Sequence, residues 1–358
     1  MTDFMVRRDD PRQCRIVESR VPEPEAGQAV LRVDSVGLTT NNVTYALLGE
    51  AMSYWKFFPA EDGWGRVPMW GFAEVERSSV EGVEEGRRLY GYLPPSSHLL
   101  VTPADTGRSG FVDSSPHRAE LPSAYHRYVD TATDRFYRED TEAIQMLLRP
   151  LFYTSFLIDD QLADDGLVGR GPVVISSASS KTAIAAAYQL SRRDGADLIG
   201  LTSPSNAAFV ESLGVYGSVV PYGEVESLER APASFVDFAG DAAVRRGVHE
   251  RYGEELIHSM AAGITHGAGG AEIGGGGELP GPRPTFFFAP DRVRKRGEDW
   301  GRAGLDERVA EAWHPFCEWT ASWLEVLHGS GFEDLRDGFV ELLDGGPGPS
   351  RARVISVR

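Results

Sequence analysis

Cysteine is almost absent from this chain, and so are long apolar runs. Only Cys14 and Cys317 occur among its 358 residues. Two distant cysteines form neither a disulfide framework nor a zinc site, which needs about four ligands. No window approaches the roughly 20 apolar residues of a membrane span, and the opening MTDFMVRRDD has no apolar signal core. We therefore expect a soluble, cytoplasmic protein.

Positive charge is also in short supply. The chain has 36 Lys and Arg against 53 Asp and Glu, a net charge of −17 at pH 7. Nucleic acids and anionic membranes are bound through clustered basic side chains, so we expect neither as a partner. A local basic pocket for a phosphorylated small molecule remains compatible with this balance. With 41% hydrophobic residues, the chain is globular and long enough for two domains.

Glycine is missing from one turn where it matters most. Residues 171–183 read GPVVISSASSKTA, and an Ala-rich segment follows. This pattern predicts a strand, a tight turn and a helix whose first amides face an anion. Dinucleotide-binding folds place glycines in that turn, whereas Ser and Ala stand there in this chain and Lys181 opens the helix. Either the loop still binds a phosphate, with hydroxyls and an ammonium added to its amides, or it has lost that role.

The polar residues of this loop are the candidates for phosphate binding. In the functional interpretation their hydroxyls and the helix-start amides contact a pyrophosphate, and Lys181 adds a point charge. In the alternative, Ser179 or Ser180 only caps the helix and Lys181 is solvated. The sequence is not a phosphate-binding P-loop, because Ile175 stands where the glycine six positions before the lysine is required. The candidates are Ser177, Ser179, Ser180, Lys181 and Thr182.

The end of the next predicted strand, residues 202–206, reads TSPSN and contains no Asp or Glu. Sites that prefer NAD carry an acid there for the ribose hydroxyls. Neutral hydroxyls leave room for a 2′-phosphate, so we expect NADP(H) rather than NAD(H), although no Arg or Lys stands there to clamp the phosphate. The alternative role of these residues is helix capping. Thr202, Ser203 and Asn206, with Tyr222 farther along, complete the cofactor-binding candidates.

The pattern of apolar residues changes along the chain. Short β-like runs such as AVLRVDSVG dominate the first hundred residues and predict a small barrel-like domain. Residues 104–130 are rich in Ser, Gly and Pro, and we expect a long loop over a site. From about residue 139 helical and β-like runs alternate, which predicts a parallel sheet with crossover helices. Residues 263–285 are rich in Gly and Pro and predict a second loop.

Several segments, taken in their order along the chain, are typical of one enzyme superfamily. They are VPEPEAGQAVLRVDSVGLTTNN, VPMWGFAEVERSSVEGVEEGRRLYG, RPLFYTSFLIDDQL, GLTSPSNAAFVESLGVYGSVVPY and FVDFAG. Their loops, strands and turns resemble the medium-chain dehydrogenase/reductase superfamily, specifically its zinc-free quinone-oxidoreductase-like side. Each motif is loose alone, and it is their shared order that makes the resemblance specific. The chain resembles a branch in which Ser-Ala-Ser-Ser-Lys-Thr replaces the glycine motif.

The resemblance implies an α/β fold with two domains. A GroES-like β-barrel catalytic domain is expected over residues 1–135 and 290–358. A Rossmann-type doubly wound parallel sheet that binds the nucleotide is expected over residues 136–289, with a cleft between the two. In such folds ligands bind at the carboxyl ends of the parallel strands.

The chain departs from the zinc-dependent members of this superfamily. Those members hold the metal with Cys, His and Glu side chains. Here Thr39 and Thr40 stand at the corresponding turn, and Met69-Trp70-Gly71-Phe72 fills the downstream segment. The resemblance therefore implies zinc-independent chemistry with no metal ligands. Asn42 stands where zinc-free relatives usually carry Asp.

The resemblance also implies catalytic candidates, which are Tyr45, Asn42 and Thr154. Thr154 aligns with the threonine beside the nicotinamide in relatives. Tyr45 follows the Asn42 turn, and its phenol has the chemistry to donate a proton to a developing enolate. The alternative is that Tyr45 and Thr154 are buried for packing. A second group has either a role in an aromatic substrate pocket or a role in the core, and consists of Trp55, Trp64, Trp70, Tyr125 and Tyr128.

Three functions follow from these residues. The first is an NADPH-dependent, zinc-independent reductase of an activated C=C or C=O in a hydrophobic carbonyl compound. Without zinc, hydrogen bonds must polarise the carbonyl, and the cofactor supplies the hydride. The second is a non-redox lyase or isomerase on the same fold, and the third is a nucleotide-binding protein without catalysis. The partner in each case is a small molecule.

The resemblance predicts a homodimer as well. Relatives often pair through the edge strand of the nucleotide-binding sheet, and the segment ELIHSMAAG is the candidate edge here. An exposed apolar strand is a liability unless it is paired or covered. Ile257, Met260 and Ala262 would favour such pairing.

Overall fold

The computed structural model describes residues 1–262 and 278–358. Of the glycine-rich segment predicted to be a loop, residues 263–277 lie outside the described residues. None of the described helices is both long and apolar enough to cross a membrane.

Two compact units make up the chain. One consists of Met1–Leu147 together with Leu324–Arg358, and the other of Leu148–Trp323. The first is built mainly from strands and the second from alternating strands and helices. The domain boundaries expected from the sequence stay a prediction.

The first part of the chain is rich in strands, as the short β-like runs predict. The longest run of alternating apolar residues, from Ala29 on, forms a ten-residue strand whose buried side chains point into the core. In chain order the elements are β1 (Thr2–Arg7), β2 (Cys14–Glu18), β3 (Ala29–Leu38), α1 (Thr40–Leu47), β4 (Trp64–Gly65), β5 (Met69–Ser78), β6 (Arg88–Leu93), β7 (His98–Val101), β8 (Pro103–Gly107), β9 (Gly110–Asp113) and β10 (Arg127–Asp130).

Helices and strands then alternate before the chain returns to the first unit. The alternating elements are α2 (Glu142–Asp164), β11 (Val173–Ile175), α3 (Lys181–Ser191), β12 (Leu198–Thr202), α4 (Ala207–Ser212), β13 (Ser218–Pro221), β14 (Ala233–Asp237), α5 (Ala242–Tyr252), β15 (Leu256–Ala261), β16 (Thr285–Phe286) and α6 (Ala289–Thr320). The returning elements are β17 (Glu325–Ser330), α7 (Gly331–Leu343) and β18 (Arg351–Ser356).

The strands of the first unit form one large and one small sheet. The large sheet has the order β17-β18-β3-β5-β6-β10-β9-β8, with β7 also pairing with β3, and the small one the order β2-β1-β4. All of these pairs are antiparallel except β17 with β18. Their buried faces share one apolar core, in which Phe4 of β1 meets Phe339 of α7 with ring centroids 5.6 Å apart. The predicted β-rich domain is confirmed.

The second unit contains a fully parallel sheet among its described strands. Its order is β13-β12-β11-β14-β15-β16, which is 3-2-1-4-5-6 when the strands are numbered along the chain. This is the doubly wound order, and the predicted α/β fold is confirmed. The direction of winding reverses between β11 and β14, where Ile175 pairs with Gly200 on one side and with Val236 on the other. Ligands of such sheets bind at that reversal, beyond the carboxyl ends of the strands.

The expected long loop over residues 104–130 is wrong in part. The segment contains most of β8 and all of β9 and β10. These strands are four or five residues long, and a window rich in Ser and Gly hides so short an alternation. Phe111 and Tyr128 anchor them in the core, with ring centroids 5.3 Å apart.

The edge of the parallel sheet also differs from the expectation. β16 covers the carboxyl end of β15, pairing Met260 with Thr285 and Ala261 with Phe286. A strand of two residues has no periodicity that a sequence pattern can show. The edge therefore belongs to β16, where Phe286 is 44% exposed and nearby Phe288 is 53% exposed.

Candidate functional site

The loop after β11 contains a serine in a conformation that usually belongs to glycine. Ser177 has a φ of +52°, in the left-handed region where a Cβ is disfavoured. Its N–H donates a hydrogen bond of 3.0 Å to the Tyr222 hydroxyl. The phenol thus helps to hold a turn that would ordinarily need glycine, and it places the candidate Tyr222 beside the loop.

Ser180 caps the helix that follows. Its backbone is extended, and its hydroxyl accepts a hydrogen bond of 3.3 Å from the Ala183 N–H at the start of α3. No acidic residue lies in the first turn of α3. The positive end of the helix dipole is therefore not compensated there, which suits an anion.

Ser179 lies at the meeting point of two strand ends. Its hydroxyl accepts hydrogen bonds from the Asn206 amide at 3.1 Å and from the Thr202 hydroxyl at 3.4 Å. The neighbouring hydroxyls of Ser203 and Ser205 are 3.0 Å apart. The structure thus brings together candidates from two separate sequence segments, and the acceptor capacity of Ser179 is used within the site.

Lys181 occupies the first position of α3. Burial lowers the pKa of its ammonium to about 8, because the charged form loses hydration. The helix N-terminus adds an unfavourable interaction with a cation. The lysine is still mostly protonated at neutral pH, at a cost that an anion beside it would offset.

Tyr216 lies beneath the same loop and was missed by sequence reasoning. Its hydroxyl donates to the Ala178 carbonyl at 3.2 Å, and burial raises its pKa above the ordinary range. Gly200 makes room for it, since a Cβ there would lie 3.1 Å from the tyrosine ring. A glycine inside a strand is the signal that could have indicated this close approach.

A buried polar network fixes the strand ends at the reversal of the sheet. The Ser176 hydroxyl donates to Asp237 at 2.7 Å, and the Arg245 guanidinium pairs with the same carboxylate at 2.8 Å. The Gly240 N–H donates to it at 2.9 Å. Asp237 is 1% exposed, and its charge is compensated by these three donors. The network positions the end of β11, from which the serine loop leaves.

Thr154 has its hydroxyl engaged inside α2, where it donates to the Pro150 carbonyl at 3.2 Å. The next residue, Ser155, donates to the Thr182 carbonyl at 2.8 Å. Ser155 therefore ties α2 to the start of α3, a role that the sequence did not indicate. A catalytic role of Thr154 stays a prediction.

Asn42 caps α1 in the first unit. Its carbonyl oxygen accepts from the Thr39 N–H at 2.7 Å, and its amide donates to the Pro68 carbonyl at 2.8 Å. The side chain is buried, and both of its ends are engaged. A catalytic role of Asn42 likewise stays a prediction.

Tyr45 belongs to a group of aromatic side chains in the first unit. Its ring centroid is 4.5 Å from that of Tyr54 and 6.0 Å from that of Tyr92. Trp70 and Tyr125 contact Tyr92 at 5.0 and 4.7 Å. Burial raises the pKa of the Tyr45 phenol well above its ordinary range, so the hydroxyl stays protonated and is able to donate a hydrogen bond. Two of the predicted pocket residues, Trp70 and Tyr125, join it.

The other predicted pocket residues have structural surroundings. Trp55 lies between Gly49 and Gly65, at each of which a Cβ would overlap the indole. The Arg15 guanidinium covers the Trp64 ring at 3.8 Å. For these two tryptophans the packing alternative describes the contacts best.

Tyr128 is also engaged elsewhere. Its hydroxyl donates to the Tyr92 carbonyl at 2.7 Å, and Arg118 approaches the same oxygen at 3.4 Å. Arg118 and Asp113 form an ion pair of 3.2 Å, each 1% exposed. The pair anchors the polar segment between β9 and β10. Within residues 1–262 and 278–358, no cluster of three or more His, Cys, Asp or Glu is placed to hold a metal ion.

One protein-family model matches most of the chain. The family model described as "Protein of unknown function (DUF2855)" matches residues 36–347. The sequence matches none of the curated proteins at a significant level.

Solved structures share the fold over the full length of the chain. CurA from Vibrio vulnificus is 14% identical with a TM-score of 0.62, covering 100% of this chain and 98% of that one. Its complex with NADPH is 13% identical with a TM-score of 0.60, covering 100% and 99%. The yhdH oxidoreductase from Salmonella enterica in complex with NADP is 15% identical with a TM-score of 0.56, covering 100% of both chains. The predicted α/β fold, with a strand-rich domain and a Rossmann-type doubly wound sheet, is confirmed, and identities this low show the fold alone.

Proposed function

The chain belongs to the family described as "Protein of unknown function (DUF2855)", and we propose that it is an NADPH-dependent, zinc-independent oxidoreductase. It reduces an activated C=C or C=O in a hydrophobic carbonyl compound. One observation supports this most strongly: the serine loop lies at the reversal of a doubly wound sheet and opens onto the uncompensated N-terminus of α3. That is the place where such sheets bind the phosphates of a dinucleotide.

The cofactor is NADP(H). Solved structures that share the fold hold NADPH in one case and NADP in another. The end of β12 presents Thr202, Ser203 and Asn206 rather than an acid, and an acid there would repel a 2′-phosphate. Lys181 supplies the positive charge, and Ser180 and Thr182 the helix-start amides. The residues present therefore fit this cofactor.

The loop hydroxyls have the right hydrogen-bonding capacity left over. Ser179 and Ser180 act as acceptors in the hydrogen bonds that the structure shows, and Tyr222 accepts from the Ser177 N–H. A hydroxyl that accepts still has one proton to donate. All three can then donate to phosphate oxygens without breaking a contact that holds the loop.

The first unit supplies the substrate end of the reaction. We propose that the first unit is the catalytic domain and the second unit the nucleotide domain. NADPH supplies a hydride when it is bound. The protein orients the substrate and polarises its oxygen with hydrogen bonds, for which Tyr45 and Asn42 of the first unit are the proposed donors. Thr154, in the second unit, is proposed to lie beside the nicotinamide. Tyr45 is the strongest of the three candidates, because the Asn42 amide and the Thr154 hydroxyl already donate to backbone carbonyls.

One observation favours the alternative of a non-redox enzyme or a non-catalytic binding protein. The Ser177 N–H is an amide that a phosphate would use in a glycine loop, and here the Tyr222 phenol already accepts it. If the loop binds no nucleotide, the fold retains only the substrate site. In that case a lyase or isomerase would act without any hydride transfer.

A spectrophotometric assay separates these functions. Purified protein is mixed with NADPH and a panel of enones, quinones and aromatic aldehydes, and the loss of NADPH absorbance is followed. The proposal expects a substrate-dependent loss with at least one class. Turnover of a substrate without added nucleotide would select the lyase or isomerase, and the absence of both would select the binding protein. We also propose that the protein works in the cytoplasm as a homodimer.

A further inference from the structure

Four phenols and one indole form a compact group in the first unit, which we call the phenol cluster. Its members are Tyr45, Tyr54, Tyr92, Tyr125 and Trp70. Neighbouring ring centroids lie 4.5 to 6.0 Å apart. Tyr92 is fully buried, whereas Trp70 and Tyr125 are only partly buried. The cluster therefore extends from the core of the unit to a face that other molecules can approach.

The polar ends of these side chains converge. Burial raises the pKa of the Tyr92 phenol, and the nearby hydroxyls of Tyr45, Tyr125 and Tyr54 raise it further. The pKa of Tyr45 is raised by burial and then by Tyr125 and Tyr54. The ring contacts place these phenols side by side. With their pKa values raised, they are neutral hydrogen-bond donors at neutral pH.

Two of these donors have no acceptor in hydrogen-bond geometry in the described part of the chain. Neither the Tyr92 hydroxyl nor the Trp70 indole N–H makes a hydrogen bond within the described residues, although both atoms are buried. Both groups lie close to the Tyr45 hydroxyl and interact with it as hydrogen-bonding neighbours, although neither contact has the geometry of a formed hydrogen bond. A buried hydroxyl without a partner lowers the stability of a fold, and phenylalanine would fill the place of Tyr92 without that cost. The two donors therefore point to a ligand.

We propose that Tyr92 and Trp70 join Tyr45 in donating hydrogen bonds to the reacting oxygen of a planar, conjugated carbonyl substrate. The inference rests on the proposed reductase function and assigns its oxygen-binding residues. The aromatic rings of the cluster suit a flat, apolar molecule. Its neutral donors favour an oxygen that gains negative charge during the reaction, because they are already oriented and excluded from water.

The test uses 4-nitrophenol as a planar oxygen probe, without any nucleotide. Its phenolate carries the kind of charge that the substrate oxygen would develop. The wild type should bind the phenolate and lower the apparent pKa of the bound probe, which is followed by its absorbance across a pH series. Tyr92→Phe should weaken phenolate binding about tenfold or more, the effect of one hydrogen bond to a charged group. Trp70→Phe should weaken it in the same direction.

The matched control is Tyr137→Phe. This tyrosine lies in the same unit but outside the phenol cluster, and its hydroxyl donates to Glu142 at 2.9 Å. It should leave the affinity for the probe unchanged. The melting temperature of Tyr92→Phe should equal or exceed that of the wild type, because an unpaired buried hydroxyl is removed.

Each outcome decides the inference. Failure of the wild type to bind the probe, equal binding by Tyr92→Phe, or a lower melting temperature of that variant would overturn it. The last result would show that the hydroxyl has a structural partner such as a buried water. If the affinity for the probe depends on Tyr92 but the protein consumes no NADPH, the oxygen site is supported and the reductase function is contradicted. If NADPH is consumed and Tyr92→Phe behaves as wild type, the reductase function is supported and the oxygen site is contradicted.

Discussion

Lys181 is the charged side chain among the residues proposed to bind the nucleotide. A lysine at the first position of a helix is opposed by the helix dipole and, in this chain, by burial. Both effects disfavour the charged form in the folded protein. An anion that binds beside the ammonium reverses this balance, so the residue links affinity for phosphate to pH.

The pH dependence of NADPH binding is the first prediction. With the pKa of Lys181 at about 8, the ammonium is present at pH 7 and mostly lost at pH 9. NADPH affinity should therefore fall as the pH rises through this range. Lys181→Ala should bind about tenfold or more weakly at pH 7, the worth of one charge-assisted hydrogen bond, and should show little change up to pH 9. Fluorescence titration at a series of pH values measures both.

The stability of the unliganded protein, unlike its affinity for NADPH, should rise with pH in the range where Lys181 titrates. The folded-state pKa of Lys181 lies below its ordinary value of 10.5, so the unfolded chain binds more protons between about pH 8 and 10.5. This lysine therefore adds stability as the pH rises through that window. Lys181→Ala should lose that contribution, while the exposed Lys56→Ala should retain it and bind NADPH normally. A pH-independent affinity in the wild type would contradict this role of Lys181.

The second prediction concerns the carboxylate at the reversal of the sheet. Asp237→Asn should destabilise the protein by about 3–5 kcal/mol, because it leaves the buried Arg245 guanidinium without its charge partner. The control is Glu250→Gln on α5, the helix that carries Arg245. It removes an exposed ion pair of 3.8 Å with Arg246 and should change the stability by less than about 0.5 kcal/mol. Urea unfolding of both variants is the measurement. Equal effects would mean that the buried pair does not fix the strand ends.

Among the secondary-structure elements, α3 has the N-terminus at which the serine loop is proposed to bind the cofactor phosphates. Ser180 caps the helix, and serine and glycine are both accepted at a cap. Ser180→Gly should cost only a few tenths of a kcal/mol and should preserve NADPH binding, since it moves the loop toward the ordinary glycine pattern. Ser180→Ala should cost about 1 kcal/mol. Thermal unfolding compares the two, and a larger loss with glycine than with alanine would contradict the cap.

Much of the second unit could be predicted from the sequence, and the reason is local. The apolar run of β11 and the Ala-rich α3 show their own periodicity, and the hydroxyls at the ends of β11 and β12 follow from parallel pairing. That is why Ser179, Thr202 and Asn206 could be predicted as neighbours. The buried support of the loop could not be predicted in detail, because Tyr216 and Asp237 reach it from distant segments. Gly200 signals a close approach to β12 without indicating which residue makes it.

Less of the first unit could be predicted from its sequence. Its β-rich character follows from alternation, but strands as short as β9 and β10 are hidden in polar sequence. Tyr45 could be singled out because it follows a recognisable turn. Tyr54 and Tyr92 could not, since only the folded chain brings their rings into contact with that of Tyr45. Tertiary contacts of this kind leave no spacing in the sequence.

At the scale of the whole molecule, the edge of the parallel sheet predicts the oligomeric state. β16 is the edge strand and exposes Phe286, with Phe288 exposed beside it and the two rings 6.5 Å apart. An exposed apolar edge strand tends to pair with a strand of another chain. The protein should therefore behave in light scattering as a particle of twice the mass of one chain at micromolar concentration. A double variant with serine at both positions should shift it toward the monomer, and a monomeric wild type would contradict the dimer.

We propose above all that the glycine-free loop still binds a phosphorylated dinucleotide. The decisive measurement is isothermal titration of NADPH and of NADH into the wild-type protein. We expect NADPH to bind more tightly than NADH, because the end of β12 carries neutral hydroxyls and no acid. We also expect Lys181→Ala to weaken the binding of NADPH. No binding of either nucleotide at millimolar concentration would contradict this proposal and remove the basis of the reductase function.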